Sequence, residues 1–164
     1  MSRTSEAALY PRVAKWLGRY LEGGYPRARV RTYDTHRTDL SSFIRRQGLQ
    51  RHLPDFAAYE IQVDVTGVVE TRESVILAFV ECKMAPITLR DLGQLLGYSL
   101  VAKPGFAFLL SPRGLSERLA TLLLAFGRQD LLVYAKGRAI RLAVWDVTRN
   151  EVDLSTLVPR GTYR

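Results

Sequence analysis

The chain has 164 residues, 47% of them hydrophobic, and this combination predicts one domain over residues 1–164 with a sizeable buried core. Such an apolar composition excludes a wholly disordered chain. The formal net charge of +8 predicts an anionic partner, with nucleic acid as the first candidate. The single cysteine, Cys82, excludes an intramolecular disulfide and disfavours a cysteine-ligated metal site, so we interpret it as a small core residue.

The sequence contains no signal for a membrane or for secretion. No apolar stretch is long enough to span a bilayer, and the first residues lack the apolar centre of a secretory signal. We therefore expect an intracellular, cytoplasmic protein without a membrane partner.

The first third of the chain predicts a helix, a strand and an irregular basic segment. Residues 5–21 are expected to form an amphipathic helix, in which Pro11 indicates a late start or a kink. Residues 27–33 alternate in the manner of a strand. Residues 36–53 hold four arginines and both histidines, with a short helix expected over residues 40–47. This segment is either a solvated loop or a mobile basic element that contacts phosphates, and neither histidine is assigned a role.

The remaining elements predict an α/β fold, with a central mixed sheet flanked by helices. Two apolar runs, 61–69 and 75–83, enclose a polar segment and indicate a β-hairpin. The later predicted elements are a helix over 88–102, a strand over 106–110, a helix over 116–126, and strands over 131–134 and 139–147. The helix over 88–102 is expected to connect two parallel strands. The tail from Asn150 stays ambiguous.

Asp64 and Glu81 are expected to face each other in this hairpin. If the turn is centred between residues 72 and 73, Asp64 lies opposite Glu81, and Lys83 shares their side of the sheet. Two opposed carboxylates repel, and a divalent cation between them would replace repulsion with binding. Oxygen ligands without His or Cys favour Mg²⁺ or Mn²⁺ over Zn²⁺. The alternative is a buried ion pair between Lys83 and one carboxylate, which leaves the other carboxylate unpaired.

Asp64, followed by Glu81-Cys82-Lys83 at the end of an apolar strand, resembles the pattern of the PD-(D/E)XK nuclease superfamily. The resemblance covers residues 5–110 and implies a restriction-endonuclease-like αβββαβ core. It implies Mg²⁺-dependent hydrolysis of phosphodiester bonds in DNA, during repair, recombination or defence. Asp64 and Glu81 would be metal ligands, and Lys83 would activate the attacking water or stabilise the transition state. The alternative is a catalytically inactive nucleic-acid-binding module of the same fold.

Three further residues fit the same family. Glu6 matches an additional acidic ligand that many members carry on the first helix, or it is an ordinary glutamate favoured by the helix dipole. Gln94 and Tyr98 share a helix face and resemble the Gln-x-x-x-Tyr motif of the RecB-type branch. The motif implies Gln94 in the catalytic set and Tyr98 on DNA. The overall resemblance is to the RecB-type branch or to the archaeal Holliday-junction-resolvase-like one. The alternative is one polar and one aromatic surface residue.

Pro54-Asp55 spells the literal dipeptide of the family, so Asp55 is an alternative metal ligand. Pairing Asp55 with Glu81 would place the turn near residue 68, inside a strand-like run, and this favours Asp64 instead.

The basic residues and one apolar helix suggest where partners bind. The candidate contacts to the DNA backbone are Arg45, Arg46, Arg51 and Arg90. Residues 119–126 are strongly apolar, and they form either a homodimer interface or part of the core.

Overall fold

A six-stranded mixed sheet organises the protein, which is represented by a computed structural model describing residues 5–161. The ends of the domain predicted over residues 1–164 therefore lie outside the described residues. The six strands are β1 (Arg29–Asp34), β2 (Val65–Glu70), β3 (Val75–Cys82), β4 (Phe106–Ser111), β7 (Arg141–Asp146) and β8 (Glu151–Val158). Their order across the sheet is β1-β2-β3-β4-β7-β8, with β3, β4 and β7 parallel and the other neighbours antiparallel. The expected α/β class with a central mixed sheet is confirmed.

Helices cover both faces of this sheet. The helices are α1 (Tyr10–Gly24), α2 (Leu40–Arg46), α3 (Leu89–Ala102) and α4 (Glu117–Ala120). Side chains of α1 pack on one face against Val80 and Phe108. Side chains of α2, α3 and α4 pack on the other face against Phe79 and Leu109. A small ribbon of β5 (Val133–Ala135) and β6 (Arg138–Ala139) stands apart from the main sheet.

The first helix begins later than its apolar periodicity predicts. A short 3₁₀ turn, Glu6–Ala8, precedes α1, which starts at Tyr10 with Pro11 in its first turn. Proline is tolerated there because the first backbone N–H groups of a helix have no partner within the helix. The predicted start at residue 5 is therefore wrong, whereas the late start that Pro11 indicated is confirmed.

The pairing of β2 with β3 confirms the predicted hairpin register. Val65 pairs with Val80 and Glu70 with Val75, which centres the turn between residues 72 and 73. The first strand is shorter than predicted, because residues 61–64 lie outside the ladder. The carbonyl groups of Ile61, Val63 and Asp64 accept hydrogen bonds from the segment that follows β1, as in the 2.9 Å bond from the Thr35 N–H to the Asp64 oxygen.

A capping motif defines the start of α3, and this helix connects two parallel strands. Thr88 and Asp91 form a capping box, in which each side chain accepts a hydrogen bond from the other residue's backbone N–H. The helix leads from β3 to β4, and the parallel pairing of these strands, with Glu81 beside Leu109, confirms the predicted crossover.

The C-terminal third departs most from expectation. Only Glu117–Ala120 is α-helical, and the chain continues as a π-helical turn over Thr121–Ala125. Leu119 and Leu123 are buried, whereas Phe126 is 72% exposed, so the segment contributes to the core and also presents an apolar surface. The ambiguous tail forms the edge strand β8. Homodimerisation through this region stays a prediction.

Within residues 5–161, no helix combines the length and the apolarity that crossing a membrane requires.

Gly67 on β2 provides a test of how closely α1 packs on the sheet. A Cβ atom at this position would lie 2.7 Å from Leu21 Cδ1 and 3.2 Å from Ala78 Cβ. Gly67→Val is therefore expected to lower the free energy of unfolding by about 2 kcal/mol, because it overpacks the layer between α1 and the sheet. Urea denaturation measures the change.

The matched control is Gly97→Ala on α3, where a Cβ atom meets nothing within 4 Å. This substitution should raise the free energy of unfolding by about 0.5–1 kcal/mol, because alanine has the higher helix propensity. Equal effects of the two substitutions would contradict the close packing at Gly67.

Candidate active site

The side chains of Asp64 and Glu81 lie where the β2–β3 ladder ends. Val65 and Val80 form the final pair, so Asp64 occupies the next position on one chain segment and Glu81 the next on the other. The backbone N–H of Cys82 donates a 2.8 Å hydrogen bond to Asp64 Oδ2. This bond holds the Asp64 carboxylate beside the end of β3, so the structure brings the two predicted acidic residues together.

Glu81 is an unusual residue for the interior of a sheet. It is 6% exposed, and its Oε1 atom accepts no hydrogen bond from any residue that the structure describes. Burial raises the pKa of the Glu81 carboxyl group to about 9, the negative charge of Asp64 contributes to this increase, and the positive charge of Lys83 opposes it. A buried carboxyl group with an unpaired oxygen is one that a bound cation would satisfy.

Lys83 lies on the same side of β3 as Glu81. Alternate residues of the strand, Leu77 and Phe79, belong to the core layer beneath α3, and this alternation carries Glu81 and Lys83 to that side. The Lys83 Nζ atom is 4.0 Å from Asp91 Oδ1. The ion pair shown by the structure is thus with a residue of α3, and the alternative of a buried ion pair between Lys83 and Asp64 or Glu81 is wrong.

Glu6 is oriented towards Tyr10. The Tyr10 hydroxyl donates a 3.3 Å hydrogen bond to Glu6 Oε1. Burial raises the pKa of the Tyr10 hydroxyl well above its ordinary value, and the nearby charges of Asp64 and Glu6 raise it further. The buried hydroxyl therefore lies near both carboxylates and connects the start of the chain to the acidic pair.

The structure does not group Glu6 with Asp64 and Glu81 as a set of three metal ligands. Across residues 5–161, no three His, Cys, Asp or Glu side chains are grouped so that they could hold a metal ion. Glu6 Oε1 accepts a hydrogen bond from the Tyr10 hydroxyl, and the role of Glu6 as a metal ligand stays a prediction. Mg²⁺ commonly binds through one or two carboxylates, with water and substrate phosphates completing the coordination. Asp64 and Glu81 fit that requirement, because both supply hard oxygen atoms and one oxygen of Glu81 is unpaired.

Gln94 and Tyr98 contact each other on the helix that positions Lys83. Gln94 Nε2 donates a 3.1 Å hydrogen bond to the Tyr98 hydroxyl. Asp91 precedes them by three and seven residues, which places all three on one side of α3. The motif therefore shares a helix face with the partner of Lys83, and the contacts of Gln94 and Tyr98 with DNA stay predictions.

The structure does not support Asp55 as the alternative ligand. Asp55 is exposed and precedes a 3₁₀ turn, Phe56–Ala58, well before β2 begins. The observed register places Asp64, and not Asp55, at the position opposite Glu81.

The candidate phosphate contacts are all exposed. Arg45, Arg46 and Arg51 lie on α2 and the turn after it, within the helical layer that also contains α3. The Arg45 guanidinium lies 5.5 Å from the centroid of the Phe56 ring. Arg90, on the first turn of α3, borders a groove of about 880 Å³ between α3 and α4. Exposure leaves the four guanidinium groups available to a polyanion, and their contacts stay predictions.

Sequence reasoning missed Tyr10 and His36. The i, i+4 spacing of Glu6 and Tyr10 is a signal that could have found the tyrosine. The His36 ring packs on Tyr10 with 4.8 Å between ring centroids, and no local pattern predicts this contact. Cys82, by contrast, is fully buried on the α1 side of the sheet, as predicted for a core residue.

Comparisons with known proteins show no family for this chain. No family model matches the chain, and no curated protein matches it. Among solved structures, the chain is similar to the crystal structure of a protein of unknown function, AF1548, with 16% identity and a TM-score of 0.39. The alignment covers 87% of this chain and 61% of that one, and a similarity this weak indicates neither fold family nor function. The class that the structure defines is an α/β protein with a central mixed sheet.

The raised pKa of Glu81 predicts how stability depends on pH when divalent cations are removed with EDTA. Between its unfolded pKa, near 4.5, and its folded pKa, near 9, the folded state holds a proton that the unfolded state has lost. Stability should therefore fall as pH rises through this window, by at most about 1.4 kcal/mol per pH unit. Glu81→Gln removes the titrating group, so its denaturation midpoint should depend less steeply on pH. Parallel pH profiles for the two proteins would contradict the prediction.

Proposed function

We propose that this protein is a Mg²⁺-dependent nuclease that hydrolyses phosphodiester bonds in DNA. The observation that carries the proposal is the opposition of Asp64 and Glu81 at the end of the β2–β3 ladder, with an unpaired oxygen on the buried Glu81. Burying a carboxyl group beside a second carboxylate costs stability, and a protein that only binds DNA has no use for such an arrangement. A cation-dependent reaction, by contrast, requires two adjacent carboxylates as ligands for the cation.

Each candidate residue has a separate role in the proposed reaction. Asp64 and Glu81 would hold the cation, and Mg²⁺, when bound, supplies Lewis-acid stabilisation of phosphate charge and lowers the pKa of an attacking water. Lys83 orients that water and stabilises negative charge on the phosphate, since Asp91 holds its ammonium group on the same side of the sheet. Gln94 and Tyr98 position the substrate from the adjoining face of α3.

The restriction-endonuclease-like arrangement is part of this proposal. The order α1-β1-α2-β2-β3-α3-β4 matches the expected αβββαβ core with α2 added between its first two strands. This order supports the proposal, as does the position of Asp64 and of Glu81-Cys82-Lys83 at the strand ends. The choice of DNA as substrate, in repair, recombination or defence, rests on the same resemblance. The net charge of +8 supports a polyanionic substrate. The exposed apolar surface around Phe126 supports a homodimer able to act on two strands.

Single substitutions test the acidic pair. Asp64→Asn, Glu81→Gln and Lys83→Ala should each lower Mg²⁺-dependent DNA cleavage by at least about 100-fold, because each removes a cation ligand or the charge beside it. DNA binding in EDTA should survive. Cleavage is measured on single-stranded, duplex and branched DNA, with Mg²⁺, Mn²⁺ or EDTA.

Asp55→Asn is the matched control, because Asp55 is the other aspartate that the family pattern could select and it is exposed. Its cleavage rate should equal that of the unaltered protein. If Asp55→Asn abolishes cleavage and Asp64→Asn does not, the assignment of the ligands is wrong.

Calorimetry with Mn²⁺ distinguishes the nuclease from an inactive binding module of the same fold. The unaltered protein should bind Mn²⁺, and Glu81→Gln should lose that site, since it replaces the anionic ligand with a neutral amide. Binding of DNA without any Mn²⁺ site or cleavage would favour the inactive module.

The exposed arginines predict a strong salt dependence of DNA binding. Replacing Arg45, Arg46 and Arg51 with glutamine should weaken binding and reduce the slope of log K against log salt by about 0.7–0.9 for each phosphate that the protein no longer neutralises. The control is Arg128→Gln, since Arg128 is also exposed but is paired with Asp130 at 2.9 Å. Fluorescence anisotropy at several salt concentrations measures the slopes, and equal slopes for all proteins would rule out the α2 surface.

A further inference from the structure

His36 lies at the same end of the sheet as the acidic pair. It follows β1, whose last residue, Asp34, pairs with Val65 at the start of β2. Thr35 lies between Asp34 and His36, and its N–H donates a 2.9 Å hydrogen bond to the backbone oxygen of Asp64. The chain segment that carries His36 is therefore attached to the segment that carries Asp64.

The His36 ring has a defined place beside the acidic groups. It packs on the Tyr10 ring with 4.8 Å between centroids, and the Tyr10 hydroxyl in turn lies near Glu6 and Asp64. Asp34, at the end of β1, contacts the imidazole directly. The Tyr10 side chain thus contacts the imidazole through its ring and lies near the candidate cation ligands through its hydroxyl.

Asp34 orients the imidazole. Its Oδ1 atom accepts hydrogen bonds from the His36 backbone N–H at 3.2 Å and from the His36 Nδ1 at 2.5 Å. With the Nδ1 proton donated to Asp34, Nε2 is the nitrogen that remains for exchange with a substrate. The His36 side chain is 29% exposed, so solvent can replace a proton that the ring gives up. A carboxylate that fixes the orientation of a histidine is a recurrent arrangement for acid–base chemistry.

We propose that His36 is the general acid of the reaction, and this inference rests on the proposed nuclease function. Water attacks phosphorus and loses a proton to solvent, while the bond between phosphorus and the leaving oxygen breaks and its electron pair goes to that oxygen. Nε2 of His36 delivers a proton to the same oxygen, which leaves as a hydroxyl group. Solvent then reprotonates the ring, so the net reaction consumes one water and yields an alcohol and a phosphate monoester.

Other acidic hydrogens near the pair are less suited to this step. The Tyr10 hydroxyl is buried and donates to Glu6, and both its burial and the adjacent carboxylates oppose loss of its proton. The Cys82 thiol is fully buried, and burial raises its pKa well above the ordinary range. The His36 imidazole, by contrast, is partly exposed, so substrate and solvent can both reach it.

A substrate with sulfur in place of the leaving bridging oxygen tests the proposal. A thiolate is a far weaker base than an alkoxide and leaves without receiving a proton. The end groups of the native products first establish which bridging oxygen leaves. His36→Gln should slow cleavage of the native DNA by at least about 100-fold and cleavage of the sulfur-substituted DNA by less than about threefold. Asp34→Asn, which alters a positioning residue, should show the same preference for the sulfur substrate to a smaller degree.

His52→Gln is the matched control, because His52 is the other histidine of the chain and belongs to a separate 3₁₀ turn, Gln50–His52. It should cleave both substrates at the unaltered rate. Mn²⁺ binding by His36→Gln should also be unchanged, which separates proton donation from damage to the cation site.

The proposal is overturned if His36→Gln cleaves native DNA within threefold of the unaltered protein, or if it is equally slow on both substrates. If the unaltered protein cleaves neither substrate under any metal condition, the nuclease proposal itself fails, and the role of His36 with it. These results are distinguishable, because the first two require an active unaltered protein.

Discussion

The antiparallel pairing of β2 with β3 determines where the chemistry of this protein can occur. Because side chains alternate along a strand, a shift of one residue in this pairing would move Glu81 away from Asp64 and put the two side chains on opposite faces of the sheet. The buried Val65–Val80 pair closes the ladder immediately before the acidic positions. The geometry of the candidate site is therefore a consequence of how the hairpin packs between two hydrophobic layers.

Those layers also supply the groups that surround the acidic pair. The segment that opens α1 provides Glu6 and Tyr10, while α3 provides Asp91 to Lys83. The turn after β1 provides His36, and the Thr35 N–H attaches that turn to Asp64. Packing that stabilises the sheet thus brings groups from three separate parts of the chain to the end of the sheet where the acidic pair lies.

Burial of Glu81 opposes stability and supports the candidate function at the same time. In the absence of a cation, its carboxyl group avoids the penalty of a buried charge by retaining a proton, so its pKa is raised. A bound cation would favour the ionised form and remove the repulsion from Asp64. Raised pKa values of this kind are concentrated at functional sites, and the geometry around Glu81 gives the shift a specific cause.

Strong local patterns made part of the structure predictable from sequence. The polar turn between two apolar runs specified the β2–β3 register, and Thr88 with Asp91 specified the start of α3. Predictions failed where long-range contacts compete with local preference. Residues 61–64 continue the apolar run but bond to the connection after β1, and the ambiguous tail became β8 because an edge of β7 was open to pair with it.

By itself, the sequence determined the α/β class, the opposition of Asp64 to Glu81 and the side of β3 on which Lys83 lies. Each of these follows from periodicity and turn position within a short stretch of chain. Only the tertiary structure decided that Lys83 pairs with Asp91, that Glu6 is engaged by Tyr10, and that His36 stands beside them. Such contacts join residues from different elements, and they depend on how helices pack on the sheet, which no local pattern in the sequence encodes.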